Sequence, residues 1–204
     1  MFLRGLNFYI YAQTVLKLTP LLKPIAKWYL QLTGWKPGFP FPFEVKKCVI
    51  IVAPHTSAWD VFIGAIYRKA VGLDTVRFLG KKELFDGPFG FFFKWLGGTP
   101  VDRFHKTGLV QQVVDMFNEH EEFRLALSPE GTRKRVDKLR TGFYHIAKGA
   151  HVPIVMIGLD FGNKQLLCSK PFYPTDDEAA DFEKIFSFYR NIKGKRPEMG
   201  LMHL

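Results

Sequence analysis

The chain has 204 residues, of which 47% are apolar and 24% charged, with 29 Lys and Arg against 19 Asp and Glu for a formal charge of +10. That length and balance suit one globular domain, or one with a short appendage, and exclude bulk disorder. The positive charge calls for an anionic partner: nucleic acid, an anionic membrane surface, or a phosphorylated substrate or acidic carrier.

Residues 1–43 differ from the rest. They hold Arg4, Lys17, Lys23, Lys27 and Lys36, no acidic residue, and interleaved apolar side chains such as Leu22, Ile25, Trp28, Tyr29 and Leu32. Pro20 and Pro24 break or kink any helix here, so two short helical pieces are expected, 3–17 and 21–32. The Pro- and Gly-rich stretch Lys36-Pro37-Gly38-Phe39-Pro40-Phe41-Pro42 then reads as an extended linker. The expectation is an amphipathic appendage, 1–43, that docks on an anionic membrane without crossing it, ahead of a 44–204 domain. The plainer alternative is that its apolar stripe packs on the core.

From residue 48 the pattern changes. Cys48-Val49-Ile50-Ile51-Val52-Ala53 is a continuous β-branched run, as expected of a strand buried on both faces. A helix is expected over 59–70 and a short strand over 76–79. Leu109, Val110, Val113, Val114 and Phe117 recur with helical spacing and predict an amphipathic helix. A strand over 124–128, a helix over 142–148 ended by Gly149, a buried strand over 152–159, an edge strand over 165–169 and a helix over 179–189 complete the chain. Strands alternating with helices imply an α/β fold with a mixed, mostly parallel sheet flanked by helices.

Chemistry concentrates first in Val52-Ala53-Pro54-His55-Thr56-Ser57-Ala58-Trp59-Asp60. Within one helix His55 and Asp60 point about 140° apart. They meet only if the helix begins after His55, with Thr56 or Ser57 as its cap. An aspartate accepting from one imidazole nitrogen makes the other a general base for a hydroxyl. Against this, Ser57-x-x-Asp60 also fits a capping box, in which Asp60 serves only the helix start. The second feature is Ser128-Pro129-Glu130-Gly131-Thr132-Arg133. Gly131 lets backbone N–H groups approach an anion, Thr132 adds a hydroxyl, and Arg133 can grip a phosphate or carboxylate. The alternative is a polar turn with a Glu130–Arg133 surface ion pair. Gly98-Thr99-Pro100-Val101-Asp102-Arg103 reads as a turn into an edge strand, and Lys81 and Lys82 carry little alone.

In this order, His55-x-x-x-x-Asp60, Gly98 to Arg103, Pro129-Glu130-Gly131-Thr132-Arg133 and Val152-Pro153-Ile154-Val155 resemble the glycerolipid acyltransferase family over roughly residues 47–160. The resemblance implies transfer of a fatty acyl group from an acyl thioester, acyl-CoA or acyl carrier protein, to the hydroxyl of a lysolipid such as 1-acylglycerol-3-phosphate. His55 would be the general base and Asp60 its orienting partner, with no acyl-enzyme. Lys81, Arg103, Glu130, Gly131, Thr132 and Arg133 would line the acceptor site and bind its anion. A hydrophobic tunnel would end at the His-Asp pair. Ser128, Lys134 and Met156 depart from the family pattern. An aminolipid acceptor, a lyso-ornithine or lyso-glycine lipid bearing a carboxylate, suits the arginines as well as a phosphate does.

Rival readings are a non-catalytic lipid-binding relative and a nucleic-acid-binding domain. The intact His55/Asp60 pair opposes the first. The second lacks any nucleic-acid motif. Cys48 and Cys168 form neither a metal spacing nor a disulfide framework and suit a reducing compartment. No cofactor or metal is expected. The longest runs free of charged side chains, 5–16 and 48–59, are shorter than the roughly 18–20 residues a spanning helix needs. No signal peptide is evident. A peripheral location on the cytoplasmic face of a membrane follows as the expectation.

Overall fold

A computed structural model describes residues 22–38, 40–88, 90–95, 97–101 and 108–204. The expected helix over 3–17 and the side chain of Arg103 lie outside these residues. In chain order the elements are α1 (22–32), β1 (Lys36–Pro37), β2 (Lys47–Ala53), α2 (Ala58–Val71), β3 (Val76–Lys81), α3 (Lys82–Asp86), α4 (Gly90–Trp95), β4 (Gly98–Val101), α5 (Gly108–Glu119), β5 (Phe123–Leu127), α6 (Gly142–Gly149), β6 (Ile154–Asp160), β7 (Gln165–Cys168) and α7 (Glu178–Tyr189). The strands form one sheet of order β1-β7-β6-β2-β5-β3-β4. Every adjacent pair is parallel except β6 with β7. The fold is α/β with a mixed, mostly parallel sheet.

The β-branched run becomes β2 at the centre of the sheet, and its two faces feed different cores. Val49, Ile51 and Ala53 pack with Val113 and Phe117 of α5, Phe143 and Ala147 of α6, and Ile185 and Tyr189 of α7. Cys48 and Ile50 pack on the other side with Phe41, Leu73, Val155 and Ile157. Successive side chains of a strand point to opposite faces, so a run with no polar interruption is what a strand covered on both sides requires. The short helices α3 and α4 have no apolar period to announce them. Each is one turn or little more, within a Gly- and Phe-rich stretch.

The division expected at residue 43 does not fall at an edge of the packing. Ala26 and Leu30 of α1, together with Trp35, are buried against Ile63, Tyr67 and Ala70 of α2 and against Leu159 and Leu166 of the sheet. Trp35 meets Phe161 edge-to-face with centroids 5.0 Å apart. β1, read from the sequence as linker, hydrogen-bonds to β7. Residues 22–38 therefore form a layer of the same domain. Pro24 lies within the described part of α1. The outward side of α1 nonetheless stays apolar: Trp28 is 62% and Leu32 68% exposed.

Candidate active site

β2 and β5 run side by side with Ile51 opposite Leu127. Both leave the sheet at the same edge, so the turn 54–57 and the turn 128–131 are neighbours although more than seventy positions separate them. In sheets of this kind the crevice beyond the carboxyl ends of the strands is where ligands bind. The helix α2 starts at Ala58, after the histidine, with Ser57 as its cap. That start lets His55 fold back over the first turn.

His55 Nδ1 lies 3.1 Å from Asp60 Oδ2. The same oxygen accepts the N–H of Thr56 at 2.6 Å and of Ser57 at 2.7 Å. Ser57 and Asp60 also complete a capping box. The two readings of Asp60 from the sequence are thus one arrangement. The carboxylate that starts the helix is the one that meets the imidazole, and the helix N-terminus favours its negative charge. Asp60 is buried, whereas His55 is partly exposed. Among the described residues no partner engages His55 Nε2 or Asp60 Oδ1.

Glu130 is 2% exposed. Its two oxygens accept the N–H of His55 at 2.8 and 3.0 Å, and one accepts the hydroxyl of Ser128 at 3.1 Å. Burial pushes its carboxyl pKa up, and the bonds from His55 and Ser128 pull it partly back. Glu130 was expected to line the acceptor site; in the structure it bonds the turn that carries His55. Its carboxylate faces the backbone of the turn 54–57. Nor is there a Glu130–Arg133 ion pair. Arg133 is exposed and makes no hydrogen bond or ion pair among the described residues. Ser128, where the family pattern has an apolar side chain, supplies the hydroxyl on Glu130.

Gly131 has φ +63°, and a Cβ there would lie 2.5 Å from Arg140 Nε. The glycine thus permits both the left-handed backbone and the close approach of Arg140. Thr132 is half-buried and its hydroxyl accepts the N–H of Lys134 at 3.3 Å. Lys81 ends β3 opposite Val101 of β4, at the same carboxyl edge of the sheet. The structure brings His55, Asp60 and Glu130 into contact. It puts Gly131 to Arg133 on the adjoining turn.

A cavity of about 510 Å³ lies between α2 and the sheet face carrying Ile50 and Val52. His55, Asp60 and Ser128 line it at the carboxyl edge, and Leu73, Val76 and Phe41 line it farther along. Val61, Gly64, Ala65 and Arg68 present one side of α2 to it. A Cβ placed on Gly64 would meet nothing within 4 Å, so the missing side chain is part of the open volume. Neither this small-residue face nor the Glu130 clamp was visible in the sequence. Both depend on contacts between distant segments.

A family model described as Acyltransferase matches residues 40–160. Among solved structures the chain is similar to the 1-acyl-sn-glycerophosphate (LPA) acyltransferase PlsC from Thermotoga maritima, with a TM-score of 0.56 and 16% identity over 91% of this chain and 86% of that one. At that identity the likeness is one of fold. No curated protein sequence matches the chain.

The clamp predicts the behaviour of Glu130→Gln. The amide keeps one acceptor for the His55 N–H but turns the second into a donor facing a donor. Leaving a buried donor unmatched costs about 1–3 kcal/mol, and displacement of the turn lowers kcat, by roughly 10- to 100-fold. Thermal unfolding and steady-state kinetics measure the two effects. Wild-type turnover in this variant would show that the clamp does not set the position of His55.

Proposed function

Because the chain belongs to the acyltransferase family, we propose that it moves a fatty acyl group from an acyl thioester to the hydroxyl of a lysolipid, with His55 as general base. The observation that carries this is the contact of His55 Nδ1 with the buried Asp60 carboxylate, 3.1 Å, at one end of a cavity whose lining is mostly apolar. With Nδ1–H donated to Asp60, Nε2 holds the lone pair. It takes the proton of the acceptor hydroxyl as that oxygen attacks the thioester carbonyl. Collapse of the tetrahedral adduct breaks the C–S bond, and the imidazolium returns the proton to the departing thiolate. The positive charge that forms briefly on the ring sits beside the Asp60 carboxylate, which favours it.

The cavity accepts the acyl chain: its lining is mostly aliphatic and aromatic, with Arg68 and Arg77 among it, and its volume is in the range of small-molecule sites. Lys81, Arg103, Thr132 and Arg133 hold the acceptor's anion. A phosphate, as in 1-acylglycerol-3-phosphate, is supported by the fold likeness to an acyltransferase of that substrate. Acyl-CoA or an acyl carrier protein serves as donor.

The enzyme works docked on an anionic membrane. Ile25, Trp28 and Leu32 project from α1 beside Lys23 and Lys27, all exposed. The patch continues through Tyr29, which meets Phe62 at 5.8 Å, to Trp59 on α2 at 5.5 Å from Phe62. Trp59 immediately precedes Asp60, so this apolar surface runs up to the active site. No helix among the described residues is long and apolar enough to cross a membrane.

Release of thiol from acyl-CoA or acyl carrier protein, with and without 1-acylglycerol-3-phosphate, tests the reaction. His55→Ala is expected to lower turnover at least about 10²- to 10⁴-fold, the usual worth of base catalysis, with the fold intact. Asp60→Asn loses less. Full activity in folded His55→Ala would end this mechanism.

Gly64→Leu tests the acyl site separately. Its side chain fills open volume, so kcat/KM for long acyl donors falls, by about 10-fold or more, while short donors are spared. An unchanged chain-length profile would place the acyl group elsewhere.

Vesicle binding tests the docking face. Trp28→Ser with Leu32→Ser removes two exposed apolar groups and is expected to weaken binding to anionic vesicles, by roughly 10- to 100-fold. The unfolding temperature should not fall, since neither residue is buried. Added salt weakens the wild type as well, by screening the lysines. A double variant that binds like the wild type would remove α1 from the docking surface.

A further inference from the structure

Residues 161–204 lie beyond the span that the family model matches, yet the end of the chain returns to the catalytic turn. At the close of α7 the Tyr189 hydroxyl donates to the carbonyl of Ile51 in β2 at 2.7 Å. Ile192 follows and is buried. It lies so close to β6 that a Cβ on Gly158 would be 2.3 Å from Ile192 Cδ1. Phe161 N–H then donates to the carbonyl of Lys193 at 2.8 Å. The chain is therefore pinned immediately ahead of the residues that follow.

Those residues meet Thr56. A Cβ on Gly194 would lie 2.8 Å from both Thr56 Cγ2 and Thr56 Oγ1, and 3.3 Å from Pro54 Cβ. Only a glycine lets the backbone come this near. Two residues on, Arg196 N–H donates to Thr56 Oγ1 at 3.1 Å. Thr56 is 1% exposed. Its hydroxyl is not needed to start α2, because Ser57 is the cap. Its own N–H donates to Asp60 Oδ2 at 2.6 Å. One residue thus holds the tail with its side chain and the orienting carboxylate with its backbone.

We propose that Thr56 is a positioning residue for the acyl transfer, through which the segment 192–196 sets the placement of Asp60 and His55. The proposal rests on the acyl-transfer reading above. A general base acts only within about 2.6–3.2 Å of the proton it removes. A shift of about 1 Å in such a constellation costs on the order of 100-fold in rate. The turn 54–57 has no ladder of its own to resist such a shift. Its backbone donors end on the side chains of Asp60 and Glu130, and Thr56 is where the tail presses against it. The methyl fills the space against Gly194 and the hydroxyl accepts from Arg196, so threonine meets both demands.

The test uses the full chain. Thr56→Val keeps the shape and removes the acceptor, whereas Thr56→Ser keeps the acceptor. Thr56→Val is expected to lower kcat about 10- to 100-fold while both KM values stay within about twofold. Thr56→Ser recovers most of the loss. Gly194→Ala presses on the same residue from the tail, gives the same kcat-only effect, and decides the matter should Thr56→Val fail to fold. Amide hydrogen exchange over residues 55–57 needs no substrate and becomes faster in both damaged variants. Wild-type kcat in Thr56→Val and Gly194→Ala would overturn the proposal, as would equal damage from valine and serine, or unchanged exchange. If the wild-type protein transferred no acyl group, the acyl-transfer reading would fall instead, and the exchange data would still decide whether the tail holds the turn.

Discussion

The structure turns on how three consecutive backbone N–H groups are satisfied where β2 ends. His55, Thr56 and Ser57 have left the sheet and donate to no carbonyl of a ladder or helix. Glu130 takes the first, and Asp60 takes the second and third. Buried backbone donors must find partners, and charge-assisted acceptors are the stronger ones. Two buried carboxylates side by side are unfavourable in themselves, and each raises the cost of charge on the other. Asp60 contributes to the upward push on the Glu130 pKa. The donors of the turn offset that cost. The turn and the two acids therefore stabilise one another, and His55 is held as a consequence of both.

The sheet makes that arrangement possible. β2 hydrogen-bonds to β5 on one side and β6 on the other, all three parallel. The connection through α2 leads toward β3 and that through α6 leads to β6. The loops after β2 and β5 therefore emerge next to each other at one edge. The same crossover lays α2 over the face bearing Ile50 and Val52. With glycine at 64 and alanine at 65, the helix leaves a cavity rather than closing on the sheet. The His55–Asp60 contact and the apolar volume beside it are thus consequences of one parallel βαβ unit.

Coverage of the sheet differs between its faces. The side carrying Val49, Ile51 and Ala53 is closed by α5, α6 and α7 into the larger core. The other side depends on α2 and on α1, whose inward residues Ala26 and Leu30 are buried and whose outward residues are not. An apolar helix face next to lysines is continuous with Trp59 and Phe62 at the start of α2 and so runs up to the turn that carries His55. A poorly soluble substrate would then have a short path from bilayer to base.

Much was legible in the chain itself, because it depended on neighbours in sequence. The β-branched run 48–53 had to be a strand covered on both faces. The apolar spacing over 109–117 had to be a helix, and the alternation of strands and helices had to give an α/β fold. For His55 and Asp60 to meet, their five-residue separation already required a helix that starts after the histidine. Other features were decided only by tertiary structure. Glu130 read as a residue of the acceptor site or of a polar turn beside Arg133, and only the pairing of β5 with β2 turned it under His55. The segment 36–37 looked like linker, and only an open edge on β7 made it a strand. Gly64, Gly194 and Arg196 carried no local signal, and Thr56 only that of a candidate helix cap, since what matters at each is how closely a distant segment approaches. Periodicity and spacing record contacts within about a turn or two of chain, whereas close approach between segments far apart is fixed by how the layers pack.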